Sequence, residues 1–221
     1  MERKIVDTGD GSKTIHLPEW NESYHSKHGA VQEALHVFIE SGLKQIRKTE
    51  IQILEVGFGT GLNCLLTLIT AKKLNKNIIY TGLEAFPVST DELSQLAYES
   101  LPEVKDYKQE FLKIHEASWE ELVDISPTFK LEKVEQKLNN FNPQKISFDL
   151  IYFDAFGPRV QPEMWTLEIF KKLFYAMNSN GILVTYCAKG QVRRDLIEAG
   201  FQVEKIPGPP GKREMLRGRV V

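Results

Sequence analysis

The sequence has little of what builds exported, metal-binding or membrane-spanning proteins. Only two of its 221 residues are cysteines, Cys64 and Cys187, which are far apart and form no C-x-x-C pattern. We expect them to be buried free thiols. The five histidines include no H-x-x-x-H pair, so we expect no metal site. No apolar run approaches membrane-spanning length and none follows the charged N-terminus, so we expect no membrane insertion, no export and a cytoplasmic location.

Two common nucleotide-binding motifs are also missing around the glycine-rich stretch Leu54–Asn63, L-E-V-G-F-G-T-G-L-N. No Gly-Lys-Ser/Thr follows it, which excludes a P-loop. Nicotinamide and flavin folds require G-x-G-x-x-G, whereas Leu62 stands here in the position of the third glycine. We therefore expect no flavin. The remaining common ligand for such a loop is S-adenosylmethionine, which has no pyrophosphate to bind.

An apolar strand ends at these glycines and a helix begins after them. Ile51–Val56 is rich in branched apolar residues, as in a buried parallel strand, and Leu62, Leu65, Leu66 and Ile69 follow a helical stripe. Glycines in such a turn can adopt positive φ and let a ligand lie against the backbone, facing the free N–H groups of the helix start. The alternative is a plain tight turn.

Two acids follow neighbouring predicted strands. Asn77–Leu83 ends in Glu84, a little over twenty residues after the last glycine, where an acid can accept both hydroxyls of a ribose. Phe148–Phe153 is followed by Asp154. Ligands of open parallel sheets bind beyond the carboxyl ends of strands near the order reversal, so we expect Asp154 to face the cofactor. Its alternative role is to cap the following loop.

The whole chain predicts an α/β fold, with a doubly wound, mostly parallel Rossmann-like sheet and an antiparallel edge. We expect one domain, residues 1–221, with a small N-terminal β-hairpin extension at 1–28 and the core at 29–221. The other predicted elements are a hairpin over Ile5–Trp20, a helix over Gly29–Ser41, a helical region from Pro87 to about Asp124 with a break at Leu101–Pro102, a short strand Phe129–Val134, helices Leu167–Met177 and Gln191–Ala199, and strands Ile182–Tyr186, Phe201–Ile206 and Glu214–Val220.

The C-terminal tail is basic although the net charge is −2. Lys205–Val221 carries five basic residues against one acidic residue. Such a patch attracts phosphates even on an acidic protein. An ordinary edge strand protected by charge explains the same composition, so the tail alone does not indicate RNA binding.

At these motifs the chain resembles the tRNA 5-aminomethyl-2-thiouridine methyltransferases over nearly its whole length. The resemblance rests on L-E-V-G-F-G-T-G-L-N, G-L-E-A-F-P, F-D-A-F-G-P followed by P-E-M-W, Val192–Arg194 and Gly211–Met215. It implies a class I S-adenosylmethionine-dependent methyltransferase that methylates the exocyclic amine of 5-aminomethyl-(2-thio)uridine at the wobble position. The partner would be the tRNA anticodon stem-loop, with no flavin and no metal.

The resemblance also implies roles for individual residues. Asp154 would contact the substrate amine, and we expect it to orient that amine more than to act as a strong base. The cofactor would be bound by Glu55, Gly57, Gly59, Gly61, Asn63, Glu84, Ala85 and Gln136. Tyr24 and Glu33 would help to close the site, and Phe156 or Trp165 would stack on the base. The tRNA phosphates would be contacted by Lys212, Arg213, Arg217, Arg219, Arg193 and Arg194.

Two departures and two alternatives accompany the resemblance. Gln136 stands where the family often has an acid for the adenine amino group, and it can still accept that bond. No second dinucleotide motif for an oxidase half is present, so we expect another pathway to supply the aminomethyl-uridine. The first alternative is a small-amine methyltransferase or aminopropyltransferase. For such an enzyme we expect a pair of acids, whereas Asp154-Ala155 offers one. The second alternative is a non-catalytic module that binds the cofactor and RNA.

Overall fold

The computed structural model describes residues 2–98, 101–143 and 148–221. An eight-stranded sheet forms its centre. The sheet comprises β4 (Glu50–Val56), β5 (Asn77–Glu84), β6 (Leu122–Ser126), β7 (Phe129–Glu135), β8 (Phe148–Phe153), β9 (Met177–Thr185), β10 (Gln202–Pro207) and β11 (Glu214–Arg219). Their spatial order is β10-β11-β9-β8-β4-β5-β7-β6.

The five central strands β7, β5, β4, β8 and β9 are parallel, and β11 pairs antiparallel with both β9 and β10. The predicted parallel sheet with an antiparallel edge made by the last two strands is thus confirmed. Since the chain runs outward from β4 in both directions, the order reverses between β4 and β8. Any ligand crevice of this fold is expected beyond the carboxyl ends of these two strands.

Helices cover both faces of the sheet because its central strands are apolar on both sides. On β4, Ile51 and Ile53 face one core cluster, whereas Leu54 and Val56 face the other. The first cluster is covered by α1 (Ala30–Ala34), α2 (Leu62–Lys73) and α4 (Lys108–Glu116). Helix α1 continues as a π-helical segment over Leu35–Glu40. The second cluster is covered by α5 (Leu167–Tyr175) and α6 (Gly190–Ala199).

The N-terminal extension is a small antiparallel sheet of its own. β1 (Lys4–Asp7) pairs with β2 (Lys13–Leu17), which confirms the hairpin, and the two-residue β3 (Glu22–Ser23) adds a third strand. Thr8 and Asp10 organise the hairpin turn through hydrogen bonds to Ser12. The division of the chain at residue 28 stays a prediction.

The predicted helical region from Pro87 to Asp124 is wrong at its C-terminal end. It contains α3 (Thr90–Leu96) and α4, and then the edge strand β6, which pairs antiparallel with β7. In the sequence, Trp119 continues the apolar stripe of the predicted helix. In the structure, it forms an isolated β-bridge with Lys133 of β7. Glu120 turns the chain there with φ 62°. Glu99 and Ser100, within the predicted region, lie outside the described residues.

Cys64 and Cys187 are free and buried, as predicted. In the described ranges, no helix combines the length and the apolar character needed to cross a membrane.

Candidate active site

A cavity of about 840 Å³ lies at the order reversal of the sheet. Gly57 at the end of β4 and Asp154 at the end of β8 both line it. The two loops touch, because a Cβ atom built on Gly57 would lie 2.7 Å from the Asp154 carbonyl oxygen. Gly57 also has φ 91°, so a side chain there would be both strained and obstructed. This glycine lets the β4 and β8 loops close the floor of one site.

The glycine loop is held against the end of β5 by Glu84. Its carboxylate accepts hydrogen bonds from the Gly59 N–H and the Phe86 N–H, each at 2.9 Å. Each carboxylate oxygen retains a free lone pair, because an ionised carboxylate has about four acceptor positions. Glu84 lines the cavity beside Ala85, and Gln136 follows β7 at the same edge. These groups fit the ribose and the adenine of an adenosyl ligand, as the sequence predicts.

Asn63, in the first turn of α2, connects the fully buried carboxylate of Glu55 to the half-buried carboxylate of Asp154. Its Nδ2 donates to Asp154 Oδ2 at 2.9 Å and to Glu55 Oε1 at 2.8 Å. Glu55 also accepts the Tyr80 hydroxyl at 2.8 Å, and its side chain is fully buried beneath the cavity. Burial raises the pKa of Glu55 well above its ordinary value. Glu55 thus holds Asn63 and does not line the cavity, which corrects its predicted contact with the cofactor.

Asp154 combines burial with a second carboxylate nearby. Burial is the main cause that raises the pKa of Asp154 well above its ordinary value, and the negative charge of Glu33 adds to it. The Asn63 hydrogen bond and the Lys212 ammonium act in the opposite direction. A carboxylate with a raised pKa is a better proton acceptor than one in water. The geometry is suited to hold an amine and to receive its proton.

Glu33 and Lys212 form the wall of the cavity on the side of Asp154. Lys212 Nζ lies 2.7 Å from Glu33 Oε1 and 4.0 Å from the ring centroid of Tyr186. The other Glu33 oxygen accepts the Ser26 N–H at 2.7 Å. Tyr186 itself is anchored by its hydroxyl, which donates to the Ala155 carbonyl at 2.8 Å. These contacts join the N-terminal extension, the β9 end and the C-terminal loop.

Aromatic rings form the outer part of the site. Phe156 lies edge-on to Tyr24, with ring centroids 5.1 Å apart, and to Trp20 at 5.4 Å. Trp165 does not belong to this group, because it is only 5 % exposed and packs on Phe153 in the core. Its indole N–H donates to the Phe156 carbonyl at 2.8 Å. Of the two predicted stacking residues, only Phe156 lines the cavity.

The structure brings eleven of the predicted site residues together and separates eight. Four of the eight are the predicted phosphate-binding residues Arg193, Arg194, Arg217 and Arg219, which do not line the cavity. Gly61 has φ 70° and caps α2, Arg213 is exposed on the outer loop, and Glu55 and Trp165 are buried below. The predicted residues that do line the cavity are Tyr24, Glu33, Gly57, Gly59, Asn63, Glu84, Ala85, Gln136, Asp154, Phe156 and Lys212.

The basic tail is partly neutralised by partners within the chain. Arg217 and Arg219 both pair with Glu204, at 2.7 and 3.3 Å, and Lys205 pairs with Glu214 at 2.8 Å. Lys212 is held by Glu33. Because Arg217 and Arg219 share the single carboxylate of Glu204, one of their two charges is compensated. Contact between these arginines and phosphates stays a prediction.

Sequence reasoning missed Tyr186 and His25 as residues of this site. Tyr186 directly follows β9, the parallel neighbour of β8, so the rule that placed Asp154 at the cavity could have placed it too. His25 lines the cavity, and its Nδ1 lies 3.1 Å from Thr14 Oγ1. Burial lowers the pKa of His25 to about 4. No local pattern marks this histidine. Across residues 2–98, 101–143 and 148–221, no group of His, Cys, Asp or Glu is arranged to hold a metal ion.

A doubly wound sheet with a glycine loop, a ribose-type acid and an aspartate at its switch point defines a class of adenosyl-binding α/β proteins. A family model described as S-adenosyl-L-methionine-dependent methyltransferase matches residues 92–220. This chain belongs to that family, and the cofactor predicted from the glycine spacing is S-adenosylmethionine.

The chain is also similar to individual known proteins. The chain is 31 % identical over 224 residues to the tRNA 5-methylaminomethyl-2-thiouridine biosynthesis bifunctional protein MnmC of Nitrosospira multiformis, an alignment that covers 92 % of this chain and 35 % of that protein. The chain thus spans about a third of the length of the curated relatives it matches. This relative confirms the resemblance drawn from the motifs.

Solved structures share the fold. MNMC2 from Aquifex aeolicus superimposes with a TM-score of 0.78 at 24 % identity, covering 98 % of this chain and 70 % of that one. Spermidine synthase from Thermotoga maritima gives a TM-score of 0.56 at 11 % identity, covering 100 % of this chain and 72 % of that one. Both comparisons support the Rossmann-like methyltransferase architecture.

Proposed function

We propose that this chain transfers a methyl group from S-adenosylmethionine to the exocyclic amine of 5-aminomethyl-(2-thio)uridine at the tRNA wobble position. The product is the 5-methylaminomethyl nucleoside. The observation that carries the proposal is the position of Asp154, whose half-buried carboxylate shares one cavity with the glycine loop and Glu84. The name of the related MnmC proteins supplies the tRNA substrate. Another reaction has to install the aminomethyl group that this one consumes.

S-adenosylmethionine supplies an electrophilic methyl group on a sulfonium. The residues of the chain have to place an amine in line with that methyl, and most of the rate is expected from this placement. Asn63 fixes the Asp154 carboxylate, so the aspartate can accept an N–H of the amine and direct its lone pair. The new C–N bond would form as the methyl–sulfur bond breaks, so the sulfonium would leave as a neutral thioether and the product nitrogen would carry the positive charge as a secondary ammonium.

An alkylamine is mostly protonated near neutral pH, so one proton must leave before attack. The raised pKa of Asp154 favours its role as the acceptor of that proton. Glu33 adds to this effect and Lys212 limits it. We therefore extend the role of Asp154 from orienting the amine, as expected from the sequence, to accepting its proton.

The tRNA would dock on the rim of the cavity. Lys27 and Lys137 are exposed and line its mouth, and neither has an ion-pair partner among the residues described. Arg213 is exposed next to Lys212. Phosphate contacts by such cations position an RNA, while Phe156 and Tyr24 offer aromatic faces to an extruded base. The rim is thus the proposed anchor.

Nucleoside mass spectrometry tests the proposed function directly. The purified chain is incubated with S-adenosylmethionine and tRNA from a strain that lacks this methylation. We expect the aminomethyl-uridine to gain fourteen mass units and to co-elute with the methylaminomethyl standard. Intact cofactor and unchanged nucleosides after prolonged incubation would favour the non-catalytic binding module.

Transfer to a small amine is the second candidate, and one observation favours it. Glu33 provides the second acid near Asp154 that the sequence was expected to lack for a polyamine-type pocket. Lys212 already neutralises this acid, however, so the pocket presents one available carboxylate. Incubation with putrescine in place of tRNA, followed by mass spectrometry for methylated or aminopropylated product, distinguishes the two candidates.

A further inference from the structure

The Glu33 carboxylate and the Tyr186 ring together make a binding site for an ammonium group. A carboxylate provides the charge-assisted hydrogen bond, and an aromatic face attracts a cation through its quadrupole. The Lys212 ammonium satisfies both, at 2.7 Å from Glu33 Oε1 and 4.0 Å from the Tyr186 centroid. Proteins that bind alkylammonium ligands use the same chemistry, so this half of the cavity is suited to a second amine.

The position of Lys212 is maintained by more than its own ion pair. It follows the stiff Pro207–Gly211 loop, in which the Pro207 carbonyl lies 2.8 Å from His36 Nε2. Gly211 packs so closely on His28 that a Cβ there would lie 2.5 Å from the imidazole. Glu33 is fixed independently by the Ser26 N–H. The Lys212 side chain is 37 % exposed, but it reaches Glu33 from a loop that is itself held by contacts to His36 and His28.

We propose that the ammonium of Lys212 occupies a second cation-binding position of the cavity, the one formed by Glu33 and Tyr186. It thereby restricts the methyl acceptor to molecules with one amine. This inference rests on the proposed function, in which Asp154 receives the single amine of the substrate. A diamine would have to place its second ammonium beside Lys212 and meet a like charge. An aminomethyl-uridine carries no second ammonium, so Lys212 imposes no electrostatic cost on it.

Removal of the lysine should free the second position. In Lys212→Met, Glu33 keeps its carboxylate and Tyr186 keeps its exposed ring face, whereas the competing cation is gone. We expect the variant to bind putrescine about tenfold more tightly than butylamine, which has the same carbon chain and one amine, because the freed Glu33 carboxylate is nearly buried and can accept a charge-assisted hydrogen bond. The wild type should bind the two within about a factor of two.

Isothermal titration calorimetry with these two amines measures the difference. Lys212→Arg keeps the positive charge and should retain the wild-type behaviour. The double variant Glu33→Gln/Lys212→Met removes the freed carboxylate and should lose the preference for putrescine. Circular dichroism checks that each variant is folded, and Lys212→Gln replaces Lys212→Met if the latter is not.

Three results would overturn the inference: no putrescine preference in the folded lysine variant, the same preference in Lys212→Arg, or an unchanged preference after Glu33 is neutralised. None of these measurements uses tRNA or cofactor turnover. A chain that methylates tRNA but shows no gain in diamine binding would refute the role of Lys212 alone. A chain that gains diamine binding but never methylates tRNA would refute the proposed function alone.

Discussion

Asn63 Nδ2 lies within hydrogen-bonding distance of both Asp154 and Glu55, at 2.9 and 2.8 Å. One amide group thereby binds two carboxylates, the half-buried Asp154 that faces the cavity and the fully buried Glu55 beneath it. The arrangement depends on the glycine loop, because α2 begins immediately after it and directs Asn63 toward the end of β8. Asp154 is therefore positioned by the same loop that is expected to bind the cofactor.

Asp154→Ala should reduce turnover by roughly a hundredfold or more, because general acid–base groups contribute about 10²–10⁴-fold. The affinity for S-adenosylmethionine should change little, since the glycine loop and Glu84 are untouched. Initial rates with undermodified tRNA and calorimetric titration of the cofactor measure the two quantities. Undiminished turnover would remove Asp154 from the chemistry.

Asn63→Leu should lower the free energy of unfolding by about 1–3 kcal/mol, the usual cost of leaving buried polar groups unpaired. The pKa values of Glu55 and Asp154 are already raised, so the folded state binds protons more strongly than the unfolded state. Their contribution to stability is lost as pH rises. The loss caused by Asn63→Leu should therefore grow with pH.

Urea unfolding of Asn63→Leu at several pH values tests this expectation. Adding Glu55→Gln provides the matched control, because it removes one of the two charges while its amide oxygen still accepts the Tyr80 hydroxyl. The double variant should be less sensitive to pH than the single one. A loss of stability that is constant with pH would argue against coupling through Asn63.

Glu84→Ala should weaken S-adenosylmethionine binding by roughly tenfold to a hundredfold, because hydrogen bonds to a charged group contribute about 1.5–3 kcal/mol. The change removes the ribose acceptor and also frees the Gly59 N–H that holds the glycine loop. Calorimetry measures the dissociation constant. Glu135→Ala is the matched control, because its exposed carboxylate ends the neighbouring strand outside the cavity. Equal affinities of the two variants would refute the assignment.

The half-buried His25 should make the protein sensitive to acid. Burial lowers its pKa from 6.5 to about 4, so the unfolded state takes up a proton at a higher pH than the folded state. Stability is therefore unaffected above about pH 6.5 and falls as the pH drops toward 4, by roughly 3 kcal/mol in full. His115, whose pKa is also lowered to about 4, should contribute in the same way.

His25→Asn keeps a hydrogen-bonding group for Thr14 and cannot titrate in this range. Its free energy of unfolding should decline less between pH 6.5 and 4 than that of the wild type, and the double variant His25→Asn/His115→Asn should decline less again. Chemical denaturation across this interval is the measurement. Identical slopes for wild type and His25→Asn would show that His25 is accessible to protons in the folded state.

Charge reversal at the rim should weaken tRNA binding. Lys27→Glu and Lys137→Glu remove cations from the mouth of the cavity, and binding measured over a range of salt concentrations should show both lower affinity and a flatter salt dependence. Lys73→Glu is the control, because Lys73 ends α2 at the opposite end from the glycine loop. Equal effects of the rim and control variants would count against this docking surface.

The sequence by itself determined the parallel sheet, the glycine loop and the acids at the strand ends. These features follow from apolar runs, glycine spacing and the position of a residue relative to its own strand, which are local properties. The edge strand β6 could not be predicted this way, because Trp119 continues a helical stripe and only its pairing partner in β7 distinguishes strand from helix.

Only the tertiary structure decided which polar side chains meet across the site. Glu33 and Lys212 are 179 residues apart, and their contact depends on how the N-terminal extension and the C-terminal loop cross at the rim. Arg217, by contrast, pairs with Glu204 directly across the β10–β11 hairpin, a partner that follows once the register of these two strands is known. Local pattern specifies where a chain bends and which face is apolar, but the compensation of a charge depends on distant segments that only the packed core brings together.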